Sequence, residues 1–194
     1  MPNTFFTSDP HYGHKNIIKY SNRPFEDVIQ MNEALIANFN AVVQPDDTVW
    51  MQGDISFMAP DRTERVLKRL NGHKHLIFGN HDKTLRKNPE LLAHFESVQE
   101  FKEIDINVKG KAYHIVLCHY PLLTWNRAHH GSFMLHGHCH GNVNHLNEKT
   151  ARLDVGVDVH NYFPVSIEQV IKIMEKKQYE VIDHHGKKDI QEEM

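Results

Sequence analysis

Five short apolar runs in this chain each stop at a turn that carries histidine, aspartate or asparagine beside glycine or proline. Thr4-Phe5-Phe6-Thr7 leads into Ser8-Asp9-Pro10-His11, and Thr48-Val49-Trp50-Met51 into Gln52-Gly53-Asp54. His75-Leu76-Ile77-Phe78 leads into Gly79-Asn80-His81-Asp82, and Ala112–Cys118 into His119-Tyr120-Pro121. Phe133-Met134-Leu135 leads into His136-Gly137-His138-Cys139-His140-Gly141. Runs of this length and composition, bounded by turn residues, predict strands. Ligands of open α/β sheets bind beyond the carboxyl ends of strands. Packing alone does not explain five polar strand ends, so the strands are expected to be neighbours whose ends meet at one edge.

The intervening segments predict helices. Residues 14–20 read as a short helix, and 25–43 as an amphipathic one with Val28, Met31, Leu35, Ile36 and Phe39 at helical spacing. Pro60 near the start and Asn71-Gly72 past the end delimit a helix over 60–70. A short helix is expected around Glu90–His94, and Lys109-Gly110-Lys111 joins strands 101–108 and 112–118 as a hairpin. Residues 152–159 alternate as a strand. Ser166 with Gln169 forms a capping-box pattern opening a helix to Lys177, and 179–182 reads as a last strand. Helices at both ends around a strand-rich middle give an α/β fold with a mixed sheet or two sheets. The length suits one domain, assigned to 1–183, with a polar tail over 184–194.

Composition excludes several classes. A net charge of −3 provides no basic field for a large nucleic-acid surface. No apolar run approaches the ~20 residues of a membrane span. The beginning of the chain lacks the basic and apolar segments of a signal peptide. Cys118 and Cys139 are the only cysteines, read as free thiols in a reducing compartment, so a cytoplasmic location is expected. The 17 histidines are dispersed rather than tagged or tracted.

Carboxylate, amide and imidazole donors without thiolate suit Mn²⁺, Fe, Zn²⁺ or Ni²⁺ better than Ca²⁺ or Mg²⁺. A carboxylate can bridge, so one aspartate can serve two ions. At this point the residues carry a resemblance. Asp9-x-His11, Gly53-Asp54, Gly79-Asn80-His81-Asp82, His119 and Gly137-His138-x-His140 resemble, in order, the motifs of the calcineurin-like metallophosphoesterases. The resemblance implies two facing mixed β-sheets flanked by helices, the metallo-dependent phosphatase sandwich, in a small uncapped domain. It implies two divalent ions, manganese first among the candidates. Asp9, His11, Asp54 and His140 would hold one ion, and Asp54, Asn80, His119 and His138 the other. His81 would sit over the substrate instead of ligating.

Two ions at ~3.5–4 Å clamp a phosphate and stabilise a bridging hydroxide near neutral pH. His81 would then assist the leaving group, with Asp82 as its partner or, equally, as a helix N-cap. Tyr12, His14, Arg23 and Arg127 are candidate substrate contacts, the arginines because a planar fork matches phosphate oxygens. His129, His130 and His160 are weaker candidates for the pocket; His136 and Cys139 read as structural. The expected activity is phosphodiester hydrolysis of small nucleotide-type or cyclic nucleotide substrates. A phosphomonoesterase, such as a nucleotidase or protein phosphatase, is the alternative. A non-catalytic scaffold and a histidine-rich metal buffer rank below both, because every motif position is intact and the histidines lie on separate strand ends.

Overall fold

The computed structural model describes residues 2–180. In chain order the strands are β1 (Thr4–Thr7), β2 (Thr48–Met51), β3 (His73–Ile77), β4 (Ser97–Gln99), β5 (Phe101–Val108), β6 (Lys111–Cys118), β7 (Phe133–His136), β8 (Arg152–Asp154) and β9 (Val165–Ser166). The helices are α1 (Ile17–Tyr20), α2 (Val28–Val42), α3 (Pro60–Arg69), α4 (Lys83–Arg86), α5 (Pro89–Leu92), α6 (Asn144–Asn147) and α7 (Ile167–Met174). They build an α/β fold of two mixed sheets flanked by helices. One sheet has the order β4-β3-β2-β1-β9, and the other β5-β6-β7-β8. The first is parallel except for β9; in the second β5 is antiparallel and the rest parallel.

Alternation along the strands creates two cores. Phe5, Val49, Met51 and Leu76 face α2 and α3 and pack with Met31, Leu35, Phe39 and Leu67. Phe6, Trp50 and Ile77 turn the other way and meet Ile115, Leu117, Phe133 and Leu135 of the second sheet, with Val170 and Met174 of α7. Each strand thus supplies both layers. Because β1, β2 and β3 run parallel, as do β6 and β7, their carboxyl ends gather at common edges. Backbone bonds stitch those ends together: Asp9 N donates to Gly53 O (3.1 Å), His11 N to Asp54 O (3.1 Å) and Gly137 N to His119 O (3.0 Å).

Several boundaries differ from expectation for local reasons. The long helix begins at Val28, because the Asp27 carboxylate accepts from the amides of Ile29 and Gln30 (both 2.8 Å) and caps it there. The first helix covers only Ile17–Tyr20, after Gly13 turns the chain with φ +81°. The third strand is His73–Ile77, in register with β2 from Thr48↔His73. The strand expected over 152–159 ends at Asp154, where Gly156 and a 3-10 turn at Val157–Val159 redirect the chain. The capping box is present, with Ser166 Oγ accepting from Gln169 N, but the helix stops at Met174. Tyr179 and Glu180 are irregular; the remainder of the expected last strand and the 184–194 tail lie outside the described residues. No helix among the described residues is long and apolar enough to cross a membrane.

Candidate metal centre

The polar strand ends are bent into an unusual backbone. Asp9, His11, Asp54, His138 and His140 all have positive φ, between 47° and 68°. Left-handed residues other than glycine cost about 1–3 kcal/mol each and cluster at functional sites. Aspartate and histidine tolerate the region better than β-branched residues. Two glycines make the close packing possible. A Cβ at Gly79 would stand 2.2 Å from Asp54 Oδ1, and one at Gly137 would stand 2.3 Å from Asp9 Oδ2.

Two groups of donors result: Asp9, His11 and His140, and Asp54, His119 and His138. Within each, ligand atoms lie within 4.8 Å of one another. His11 Nε2 is 3.6 Å from Asp9 Oδ1 and 3.5 Å from Asp54 Oδ2. His119 Nε2 is 3.7 Å from the same Asp54 oxygen, and His140 Nε2 is 3.9 Å from Asp9 Oδ1. These separations exceed hydrogen-bond range. Bonds of ~2.0–2.2 Å to a common ion put two ligand atoms about 3–3.6 Å apart. Asp54 Oδ2 stands between the two groups.

The hydrogen-bond arrangement leaves the facing lone pairs bare. His140 Nδ1–H donates to Asp158 Oδ2 (2.7 Å), which turns the Nε2 lone pair inward. His119 Nδ1–H donates to the Gln52 carbonyl (2.8 Å). In the neutral ring, His119 Nε2 then faces Asn80 Oδ1 at 3.0 Å, acceptor against acceptor. Asp9 Oδ1 and His11 Nε2 are buried without a hydrogen-bond partner. Buried polar groups are normally satisfied; a cation satisfies all of these together, so the residues present fit two metal ions. Burial raises the Asp9 carboxyl, but His11 and the neighbouring His119 and His140 outweigh it and hold it down to about 2. Burial lowers His11 and His138, favouring the neutral form that ligation needs.

His81 stands beside the cluster. Its backbone N–H donates to Asp54 Oδ1 (2.8 Å), while its half-exposed ring keeps Nε2 4.0 Å from Asp54 Oδ2. His14 is also at the rim, with Nδ1 3.2 Å from His11 Nδ1, so it orients a candidate ligand. Four other expectations are corrected. The Asp82 carboxylate bonds to backbone amides instead of a histidine, and it does not cap α4. It is fully buried and accepts from Gly79 N (2.7 Å), Asp54 N (3.0 Å) and Ile55 N (2.8 Å), joining two ligand-bearing turns. Tyr12 is a core residue: its backbone bridges to Ser56, and its side chain is buried in the first core. Arg23 is buried and already engaged with Asp158, Pro10 O and Asp9 O, bracing the first turn. Arg127 lines a cavity of about 370 Å³ with Lys111 and Tyr113, at the opposite end of β6 from His119.

His130 lines that same cavity, and the His129 ring lies 4.0 Å from the His130 ring in a tilted arrangement. His160 donates to Asp154 O (2.8 Å). His136 Nδ1–H donates to Gly137 O and Asn147 Nδ2–H to His136 Nε2, a structural role as expected. Cys139 is half-buried and unpaired as a free thiol. Sequence reasoning missed Asp158, Phe57 and Tyr120. Asp158 lies 18 residues from His140, with no local signal linking them. Phe57 follows the Gly53-Asp54 turn, and its ring stacks on His14 at 4.1 Å and on His11 at 5.0 Å.

No family model matches the chain. It is 36% identical over 184 residues to the uncharacterized protein MJ1445 of Methanocaldococcus jannaschii, covering 91% of this chain and 93% of that one. It is 31% identical over 186 residues to the Gene 66 protein of Mycobacterium phage L5, covering 81% and 87%. Among solved structures it is similar to a protein of unknown function, AQ665, from Aquifex aeolicus, with a TM-score of 0.70, 26% identity, and coverage of 89% of this chain and 100% of that one. The chain belongs to one family with the Methanocaldococcus protein.

Proposed function

We propose that this chain, as a member of that family, is a dinuclear-metal-dependent phosphoester hydrolase of the calcineurin-like type, acting on small phosphodiesters. One observation carries the reading: Asp54 Oδ2 lies within 3.5 Å of His11 Nε2 and 3.7 Å of His119 Nε2, so a single carboxylate oxygen reaches both donor groups. The two facing mixed sheets are compatible with the phosphatase sandwich and support the same reading. Asp9, His11, Asp54 and His140 would hold one ion, and Asp54, Asn80, His119 and His138 the other. Manganese is the first candidate, with iron, nickel and zinc next. Bound divalent ions supply Lewis acidity toward phosphate oxygens and an activated water.

The chain's own residues do the rest. Asp158 and the Gln52 carbonyl fix which nitrogen of His140 and His119 points inward. Asp82 holds the Asp54 and Gly79 turns in one geometry. His81 is anchored through its backbone to Asp54 while its ring remains accessible. It stabilises charge on the leaving oxygen and, when protonated, donates to it, a contribution of about 10²–10⁴ in rate.

The test is turnover of bis-(4-nitrophenyl) phosphate and 4-nitrophenyl phosphate by metal-stripped protein with Mn²⁺, Ni²⁺, Zn²⁺ or Mg²⁺ restored separately. Metal-dependent cleavage favouring the diester is expected. Preference for the monoester would replace the proposal with a phosphatase. Tight metal binding without any turnover would refute hydrolysis.

A further inference from the structure

Each donor group carries one exposed aromatic ring against its histidines. On the side of His11, Phe57 is 39% exposed and stacks on His14 with an interplanar angle of 16° and on His11 with 19°. On the side of His119 and His138, Tyr120 is 46% exposed, with ring centroids 5.1 and 4.8 Å from theirs. An exposed aromatic residue alone says little. These two are held in place. Phe57 N donates to Tyr12 O (2.9 Å), and the neighbouring Met58 N donates to Ser56 Oγ (3.1 Å), itself bonded to Thr63 Oγ1 (2.8 Å). Tyr120 follows His119 directly, and His119 is pinned to the Gln52 carbonyl.

Asp54 lies between the two groups, so the rings flank the position of a phosphate centred on it. A phosphomonoester has one organic substituent, and a cyclic nucleotide has one base. Only a linear diester with a planar group on each side engages both rings. Stacking on such platforms tolerates any base, because every base has a π-face. The net charge of −3 opposes a long polyanion, whose binding rests on neutralised phosphates. Resting on the phosphodiesterase reading above, we propose that the substrate is a short linear oligonucleotide, with the bases flanking the scissile phosphorus stacked on Phe57 and Tyr120. In the reaction a water oxygen bonds to phosphorus and one phosphorus–oxygen ester bond breaks. The departing oxygen takes a proton, leaving a hydroxyl on one nucleoside and a phosphomonoester on the other.

The test compares a linear dinucleoside monophosphate, 3′,5′-cyclic AMP, bis-(4-nitrophenyl) phosphate and methyl 4-nitrophenyl phosphate on the Mn²⁺-loaded full chain. The dinucleoside should exceed the cyclic nucleotide in kcat/KM by at least about tenfold. Phe57→Leu and Tyr120→Leu should each raise KM for two-ring diesters about tenfold, with metal content unchanged. Phe57→Tyr and Tyr120→Phe should restore it. Methyl 4-nitrophenyl phosphate, with one ring, should respond to one variant at most. Calorimetric binding of a slowly cleaved dinucleoside phosphorothioate should reproduce the ranking without turnover. Diester hydrolysis with KM unmoved in both leucine variants, or cyclic AMP as the better substrate, overturns the two-ring reading and leaves the phosphodiesterase standing. Failure of the wild-type protein on every diester overturns both.

Discussion

Asp158→Asn should weaken one metal ion and spare the other. The Asp158 carboxylate accepts three N–H groups: His140 Nδ1 at 2.7 Å, and Arg23 Nε and Nη2, each at 2.8 Å. The Arg23 side chain is fully buried, and Asp158 nearly so. An amide keeps one acceptor oxygen and turns an NH₂ toward either the imidazole or the guanidinium, both donors. Removing one partner of a buried ion pair costs about 3–5 kcal/mol. The amide retains one bond, so about 2–3 kcal/mol is expected, or roughly 4–12 °C in Tm for a domain of this size. Losing the group that orients a ligand histidine lowers metal affinity about 10–100-fold. His140 belongs to the group with Asp9 and His11, and His119 and His138 are held elsewhere. Calorimetric Mn²⁺ titration of the stripped variant should therefore show one weakened site and one unchanged. In a His140→Ala background the affinity effect of Asp158→Asn should largely disappear, while the thermal penalty through Arg23 persists. Equal weakening of both ions, or full retention of both, would refute Asp158 as the residue that orients His140.

Asp54→Asn should reduce metal content at both sites, by elemental analysis; loss of one ion only would remove Asp54 as the bridge. Gly79→Ala should do the same without replacing a donor, because the new methyl would lie 2.2 Å from Asp54 Oδ1; normal metal content would show that the loop yields. His81→Ala should keep both ions and lose about 10²–10⁴ in turnover of a diester with a poor leaving group; unchanged turnover would exclude His81. In metal-stripped protein, burial pushes the Asp82 and Asp154 carboxyls up to about 6. A folded value above the unfolded ~3.9 means that stability is greatest below about pH 4 and falls as pH rises through 6, by about 3 kcal/mol per carboxyl. Asp9 has the opposite sign, but its contribution is complete by about pH 5. Burial pushes His136 down to about 4, which has the opposite sign over the same range, so the comparison is with Asp82→Asn. In urea unfolding between pH 4 and 7 the stability of the native sequence relative to that variant should fall as pH rises; a difference independent of pH would contradict the burial argument.

The strands and donors were legible because each lies within a few residues of its own signal. A run of apolar residues reaching a Gly- or Pro-marked turn located β1, β2 and β7 and the six residues of the two donor groups, and parallel pairing brought those residues together. The residues that hold the donors were less legible. Arg23 and Asp158 are 135 positions apart, and their bond depends on how the 3-10 turn after β8 meets the first turn of the chain. A charged side chain looks the same in sequence whether it reaches a substrate or braces a loop, which is why the sequence alone points Arg23 toward a phosphate and pairs Asp82 with His81. Tyr12 is a similar case: its place next to the first motif suggests contact, but its side chain is buried in the core. The short strand β4 and the single-turn helices α4 and α6 have too few residues for periodicity to register.

The same bonds that correct those readings explain what holds the donor-bearing turns in place. Five residues with positive φ, two unsatisfied buried atoms and a pair of facing acceptors would individually favour relaxation. Relaxation is opposed on each side by groups that are themselves buried. Arg23 holds the carbonyls of Asp9 and Pro10, and Asp158 neutralises Arg23 while fixing His140. Asp82 ties the amides of Gly79, Asp54 and Ile55 together. Moving any one ligand turn breaks bonds in a second turn, so the strain cannot be released locally. The inward aim of these donors is thus braced by buried side chains, and a bound metal would satisfy the lone pairs they present. Thermal stabilisation by Mn²⁺ should accordingly shrink in Asp82→Ala as well as in Asp54→Asn, although Asp82 belongs to neither donor group. Full stabilisation of Asp82→Ala by Mn²⁺ would mean that the turns are organised by the metal and not by the carboxylate beneath them.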